Sequence, residues 1–219
     1  MRMLLAATLL APVLLTVTPA ARAQVPPMPP WICSVVVTAA PPGSRPVLFD
    51  LPDGSGAAFS QARVAGGGVV DATITLTVRD SLQPWPNQPA ADFWLEQEAV
   101  AGGGSFAACV RGTCADAPTD ALGVTHWALP LRAGGWSSAR TRVMIWGLPL
   151  TPPAGEVLLD LRHVSADLNG DLVVDLADVP LFAADFHGGY ALRSDLQYDG
   201  VVDLGDIPRL AAAMGAGCR

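Results

Sequence analysis

Lysine is absent: all 13 basic residues of the 219-residue chain are arginines, scattered along it. No basic stripe with interleaved aromatics could track a phosphate backbone, so nucleic acid is not an expected partner. Histidines number only three, and His126, His163 and His187 each lack a second His or Cys at metal-ligand spacing. No G-x-S-x-G, H-E-x-x-H or phosphate-cradling loop occurs. The glycine runs 66–68 and 102–104 have no helix start behind them to hold an anion. Glu96 and Glu98 lie two apart in a strand-like stretch and project the same way. Glycoside hydrolysis needs two carboxylates facing each other across a sugar. The sequence therefore leads us to expect no enzyme. Long apolar runs are also missing apart from Met3–Val17, so no membrane span is expected.

That one run follows Arg2 and ends in T-P-A-A-R-A, the shape of a secretory signal peptide with cleavage after Ala23. Residues 1–23 are read as the signal, and 24–32, opening with QVPPMPPW, as a proline-rich leader. The expected location is extracellular or at the cell surface. Four cysteines in an exported chain favour two disulfides out of three possible connectivities. Cys109 and Cys114 flank V-R-G-T, a turn they could close, which leaves Cys33 for Cys218; a free or intermolecular Cys218 stays open as an alternative.

From Cys33 to Val164 the chain reads as short runs rich in Val, Ile, Thr and Trp, broken by clusters such as PDGSGA and QPWPNQP. In Ala72–Arg79, Ala72, Ile74, Leu76 and Val78 alternate with Thr73, Thr75, Thr77 and Arg79, a period of two that puts one face in a core. Similar alternation runs through 124–131, 139–146 and 156–163. The expected fold class is mainly β, an antiparallel β-sandwich over 33–164 followed by a small α-helical module over 165–219. Of the six tryptophans, Trp94, Trp127 and Trp146 fall in strands and are expected in the core. Trp31, Trp85 and Trp136 fall outside them and leave a carbohydrate-binding surface as an alternative function.

Half of the 20 acids lie between Asp160 and Asp206, where one acidic loop occurs twice, 28 residues apart. Asp167, Asn169, Asp171, Asp175 and Asp178 align with Asp195, Gln197, Asp199, Asp203 and Asp206 at loop positions 1, 3, 5, 9 and 12. The carbonyls of Val173 and Val201 fall at position 7. This is the spacing that wraps hard oxygen ligands around calcium, and it predicts two Ca2+ ions per chain. Each loop is followed by apolar residues at helical spacing, Val179, Phe182 and Phe186, then Ile207, Leu210 and Met214. Those six are expected to pack two antiparallel helices together. Only Val164–Ala166 link the regions, so close packing between them is expected.

The paired loop–helix pattern resembles a dockerin, the module by which secreted bacterial proteins attach to a cohesin. The resemblance covers about the last quarter of the chain. It implies two bound calcium ions, a cohesin-like or other extracellular protein partner, and association with polysaccharide-degrading systems. It also implies partner reading by loop positions 10 and 11, here Leu176 and Ala177, then Leu204 and Gly205. Those leucines could equally be the seam onto the chain's own β region. Loop 1 departs from the pattern with Leu172 at position 6, where a glycine is usual, and loop 2 with Gln197 at position 3, so unequal affinities are expected. A second resemblance, to bacterial immunoglobulin-like repeats of the invasin and intimin kind, rests on DATITLTVRDS and on the later T-D-x-x-G hairpin Thr119–Val124. Together they imply a secreted, non-catalytic protein of attachment or assembly, or else a component of a polysaccharide-degrading system.

Overall fold

The computed structural model describes residues 31–37, 40, 43–80, 83–151 and 156–219. The signal peptide 1–23 and the leader up to Pro30 lie outside them. The principal strands are β1 (Trp31–Val37), β2 (Val47–Asp50), β3 (Ile74–Asp80), β4 (Phe93–Gln97), β5 (Val124–Trp127), β6 (Thr141–Ile145) and β7 (Arg162–Ser165), and the helices are α1 (Asp178–Phe186) and α2 (Ile207–Ala213). About 30% of the described residues are strand and 14% helix, with several antiparallel sheets. No helix among the described residues is long and apolar enough to cross a membrane.

β3 carries the alternation seen in the sequence: Ala72, Ile74, Leu76 and Val78 are all within 1% of complete burial. β1 pairs antiparallel along its whole length, and β5 covers the other edge from Ile74↔Trp127 to Thr77↔Val124. β1 opens at Trp31, inside the stretch read as leader. Trp127 is fully buried, with its indole N–H donating to the Thr113 carbonyl at 3.0 Å. In a separate sheet, β4 and β6 pair antiparallel from Phe93↔Ile145 to Gln97↔Thr141. Their inward residues Phe93, Leu95 and Val143 join Leu48, Phe59 and Trp127 in one cluster. Each such side chain contributes about 1.5–3 kcal/mol by leaving water. Trp146 sits just past β6, and with Trp85 it forms an edge-on pair at 4.7 Å, half-buried against this core.

β2 and β7 run parallel, from Val47↔Arg162 to Asp50↔Ser165. β7 leads directly into the first acidic loop, so β2 and β7 carry the end of the β region to the start of the helical one. A second apolar cluster spans that junction: Leu51 packs with Leu168, Val174, Leu196, Phe182 and Leu210. Pro180 and Pro208 stand in the first turns of α1 and α2, where a missing N–H costs no helical bond. After α2 the chain turns back, and Val174 and Ala216 pair through N–H to carbonyl at 2.8 Å, beside a Val173↔Gly217 bridge.

That return corrects the cysteine expectation. It carries Cys218 to Cys109, and these two form the disulfide; Cys33 and Cys114 are free thiols. Cys33 stands in mid-strand opposite Val78 and packs on the core. Burial pushes its thiol pKa up to about 11. Cys114 is instead engaged by β4, in a bridge with Trp94.

Candidate functional site

Both acidic loops close on their own first and last residues. In loop 1, Asp167 accepts the N–H groups of Gly170, Asp171 and Leu172, and Asp178 accepts those of Leu168, Asn169 and Asp175, at 2.7–3.2 Å. Loop 2 repeats the arrangement: Asp195 accepts from Asp199, Gly200 and the Tyr190 hydroxyl, and Asp206 from Gln197 and Asp203, at 2.9–3.1 Å. The acids at positions 5 and 9 each cap a backbone N–H two residues on: Asp171 takes Val173, Asp175 takes Ala177, Asp199 takes Val201 and Asp203 takes Gly205. Asn169 accepts from the Asp171 N–H and donates to its carboxylate. The 28-residue repeat is thus a repeat of hydrogen bonding.

Asp167, Asp178, Asp195 and Asp206 are completely buried. Among the described residues no arginine pairs with any of them; the ion pairs lie elsewhere. Burial is the main cause that lifts the carboxyls of Asp167, Asp195 and Asp206 above the usual range. A buried carboxylate without a countercharge is costly, and a bound cation is the common remedy. Among the described residues no three His, Cys, Asp or Glu side chains already converge on one point as a metal cage. The donor set fits a hard cation in composition, oxygen at every side-chain position of both loops, while the carboxylates are turned toward backbone N–H groups.

Of the two readings left open for Leu176 and Leu204, a partner patch or the seam onto the β region, the seam is not formed. Leu176 and Leu204 are 77% and 69% exposed. The module meets the β region through the loops instead: Gly135 donates to the Asp167 carbonyl, Gly67 to that of Tyr198, and Arg63 to that of Gln197. A β-carbon on Gly134 would overlap the Asp167 carboxylate, so the two regions are in close contact there. The helices also depart from expectation. Phe182 and Leu210 are buried, whereas Val179, Ile207 and Met214 remain exposed. Beside Phe182, the residues Val179, Phe186, Leu204, Ile207 and Met214 line an open apolar groove of about 390 Å³. Phe182 and Leu210 share their cluster with Leu168, Val174 and Leu196 of the loops, while residues of both helices line the groove.

Elsewhere Glu98 is held in a two-pronged ion pair by Arg140, and Glu96 lies opposite Arg142 across the β4–β6 ladder. His126 sits 3.8 Å from Asp116. His163, isolated in the sequence, bonds through Nδ1 to Asp50 at 2.6 Å and through Nε2 to Thr141 Oγ1 at 3.1 Å. This acid–imidazole–hydroxyl chain is sealed in the interior, with Asp50 the most exposed member at 1%, and the Thr141 hydroxyl is already donated to the Leu161 carbonyl. It joins β2, β7 and β6 as a buried polar clasp. No family model, curated protein or solved structure matches the chain.

Proposed function

We propose that this chain is a secreted, non-catalytic attachment or assembly protein: an immunoglobulin-like sandwich over 33–164 carrying a dockerin-like module that binds two calcium ions and docks a cohesin-like or other extracellular protein. The observation that carries the reading is the two-helix apolar groove, left open while the loops of the module are fastened to the β region. Exposed apolar surface of this kind marks interfaces. Residues 167–178 and 195–206 would hold the ions. Bound calcium would supply the positive charge that the buried acids lack and fix each loop to its helix. The chain's own residues then set the docking face, with Leu204 lining the groove and Leu176 exposed at the equivalent position of loop 1. The single apolar cluster to which β3, β5, β4 and β6 all contribute supports the sandwich reading.

The test is the double variant Leu176→Asp with Leu204→Asp, compared with wild type for calcium uptake by calorimetry and for binding to a panel of cohesin domains by surface resonance. Calcium uptake is expected to stay unchanged and cohesin binding to vanish. A wild-type protein that takes up calcium and binds no cohesin overturns the docking partner; absence of calcium uptake overturns the metal reading.

A second reading, carbohydrate binding within a polysaccharide-degrading system, is favoured by a separate cleft. Trp136 lines it with Gln97 and Glu98, an aromatic beside polar groups of the kind that hold sugars. Affinity electrophoresis on soluble glycans with Trp136→Ala tests it, and equal migration of both proteins would count against it.

A further inference from the structure

Where loop 2 meets the β region, two arginines are held side by side. Arg63, in the short strand 62–63 that pairs with β2, donates to the Gln197 carbonyl at 3.2 Å and to that of Gly67. Arg209, in α2, donates to the adjacent Leu196 carbonyl at 3.0 Å, and its guanidinium lies 5.3 Å from the centre of the Phe49 ring. Both line a cleft of about 110 Å³ together with Gln61, Phe49 and Tyr198. Among the described residues neither arginine has a carboxylate within ion-pair distance.

Two like charges fixed on consecutive carbonyls repel each other, and the cost appears on Arg209. Burial first, and then the charge of Arg63, hold its pKa below the usual arginine value; Asp206 offsets this in part. A guanidinium has five N–H donors in a planar fork, so most donors of each arginine remain after these bonds. In a chain of net charge −7, this cleft places two arginines together with no ion-pair partner among the described residues.

We propose that the Arg63–Arg209 cleft is a binding site for a single small oxyanion, a sulfate-, phosphate- or carboxylate-type group, held between the two guanidiniums with Gln61 as a further donor. The cleft suits one such group in size, and a forked charge-assisted pair is the strong form of oxyanion recognition. The site is separate from the apolar groove and stands on the backbone of loop 2, through the Leu196 and Gln197 carbonyls, so it is tested both with and without calcium. It would tie the β region to loop 2 from outside, because each arginine bridges the anion to a loop carbonyl.

The experiment uses the full chain labelled with 15N, with and without calcium. The Arg63 and Arg209 Nε–H signals are followed by NMR during titration with sodium sulfate, sodium acetate, or sodium chloride at matched ionic strength. Saturable movement of both signals with sulfate or acetate, unmatched by chloride, is expected. Response to sulfate alone identifies a free tetrahedral ion as the ligand; response to acetate identifies a carboxylate group. Arg209→Gln should weaken binding about tenfold or more, the change expected from losing one charge-assisted bond. Gln61→Glu, which places a carboxylate in the cleft without removing either arginine, should abolish it. Signals that follow ionic strength alike in all three salts overturn the site. So does a sulfate response that survives Gln61→Glu unchanged.

Discussion

A β-carbon on Gly205 would overlap the side-chain amide of Gln197. The two unusual residues of loop 2 are therefore one adjustment: position 3 carries an amide one methylene longer than Asn169, and position 11 gives up the methyl that Ala177 has in loop 1. Gly205 is thus explained by the loop's interior as well as by the partner-reading role that the dockerin resemblance assigns to its position. Loop 1 has a different irregularity. Leu172 adopts φ 70° at position 6, where loop 2 has Gly200 at φ 96°; a branched residue there stores about 1–2 kcal/mol. The loops should consequently differ in affinity, for reasons that can be separated. Gly205→Ala is expected to displace Gln197 and to weaken calcium binding at loop 2 by about tenfold, roughly 1.4 kcal/mol, leaving loop 1 as it was. Titration calorimetry in an Asp175→Ala background, where loop 2 is read alone, measures it. Unchanged loop 2 affinity would remove Gln197 from the ligand set.

Between the elements, α1 is clamped to the short turn that launches loop 2. Arg193 donates twice to Asp185, at 2.6 and 2.8 Å, and the Ser194 hydroxyl donates to the same carboxylate. The Arg193 bonds are the main cause that holds Asp185 below the usual carboxylate range. A folded-state pKa below the unfolded value of about 3.9 stabilises the fold above that pH, and the gain is lost as pH falls through the folded value. Asp185→Asn is therefore expected to cost about 1 kcal/mol near neutrality, as befits a partly exposed pair, and the gap from wild type should close in acid. Thermal melts across that range test the sign; a gap that widens on acidification would refute it. At this scale the sequence was legible where local period decides. Ala72–Val78 gave the buried face of β3, and Val179, Phe182 and Phe186 gave the buried face of α1 only in part, because a period names an apolar face without saying what covers it. The parallel pairing of β2 with β7 was illegible, since alternation carries no strand direction. So was the Asp50–His163 bond, which joins residues 113 apart. The cysteine pairing failed for a related reason: closeness in sequence favoured Cys114, while the return after α2 brought Cys218 to Cys109.

At the scale of the molecule, contacts of several kinds hold the helical module to the β region. Leu51 lies in the same apolar cluster as Leu168, Val174 and Leu196; Arg63 and Gly67 hold loop 2 by its carbonyls; and the Cys109–Cys218 disulfide, spanning 109 residues, closes the chain end onto the β region. A core shared across the junction couples the two regions, so they should unfold as one cooperative unit rather than in sequence. Calcium, in our reading, then acts on the whole chain: chelation should lower the single transition instead of melting a separate module. Opening the disulfide by Cys218→Ser should cost about 2–5 kcal/mol, on the order of 5–15 °C for a chain of this size. The return that carries Cys218 is paired with loop 1 at Val173 and Val174, so the two losses should couple by about 0.5–3 kcal/mol rather than add. Differential scanning calorimetry of wild type and Cys218→Ser, each with calcium and with chelator, gives all four values. Two resolved transitions in the calcium-loaded wild type would mean that the shared core does not couple the regions, and the module would then have to be treated as a tethered domain of its own.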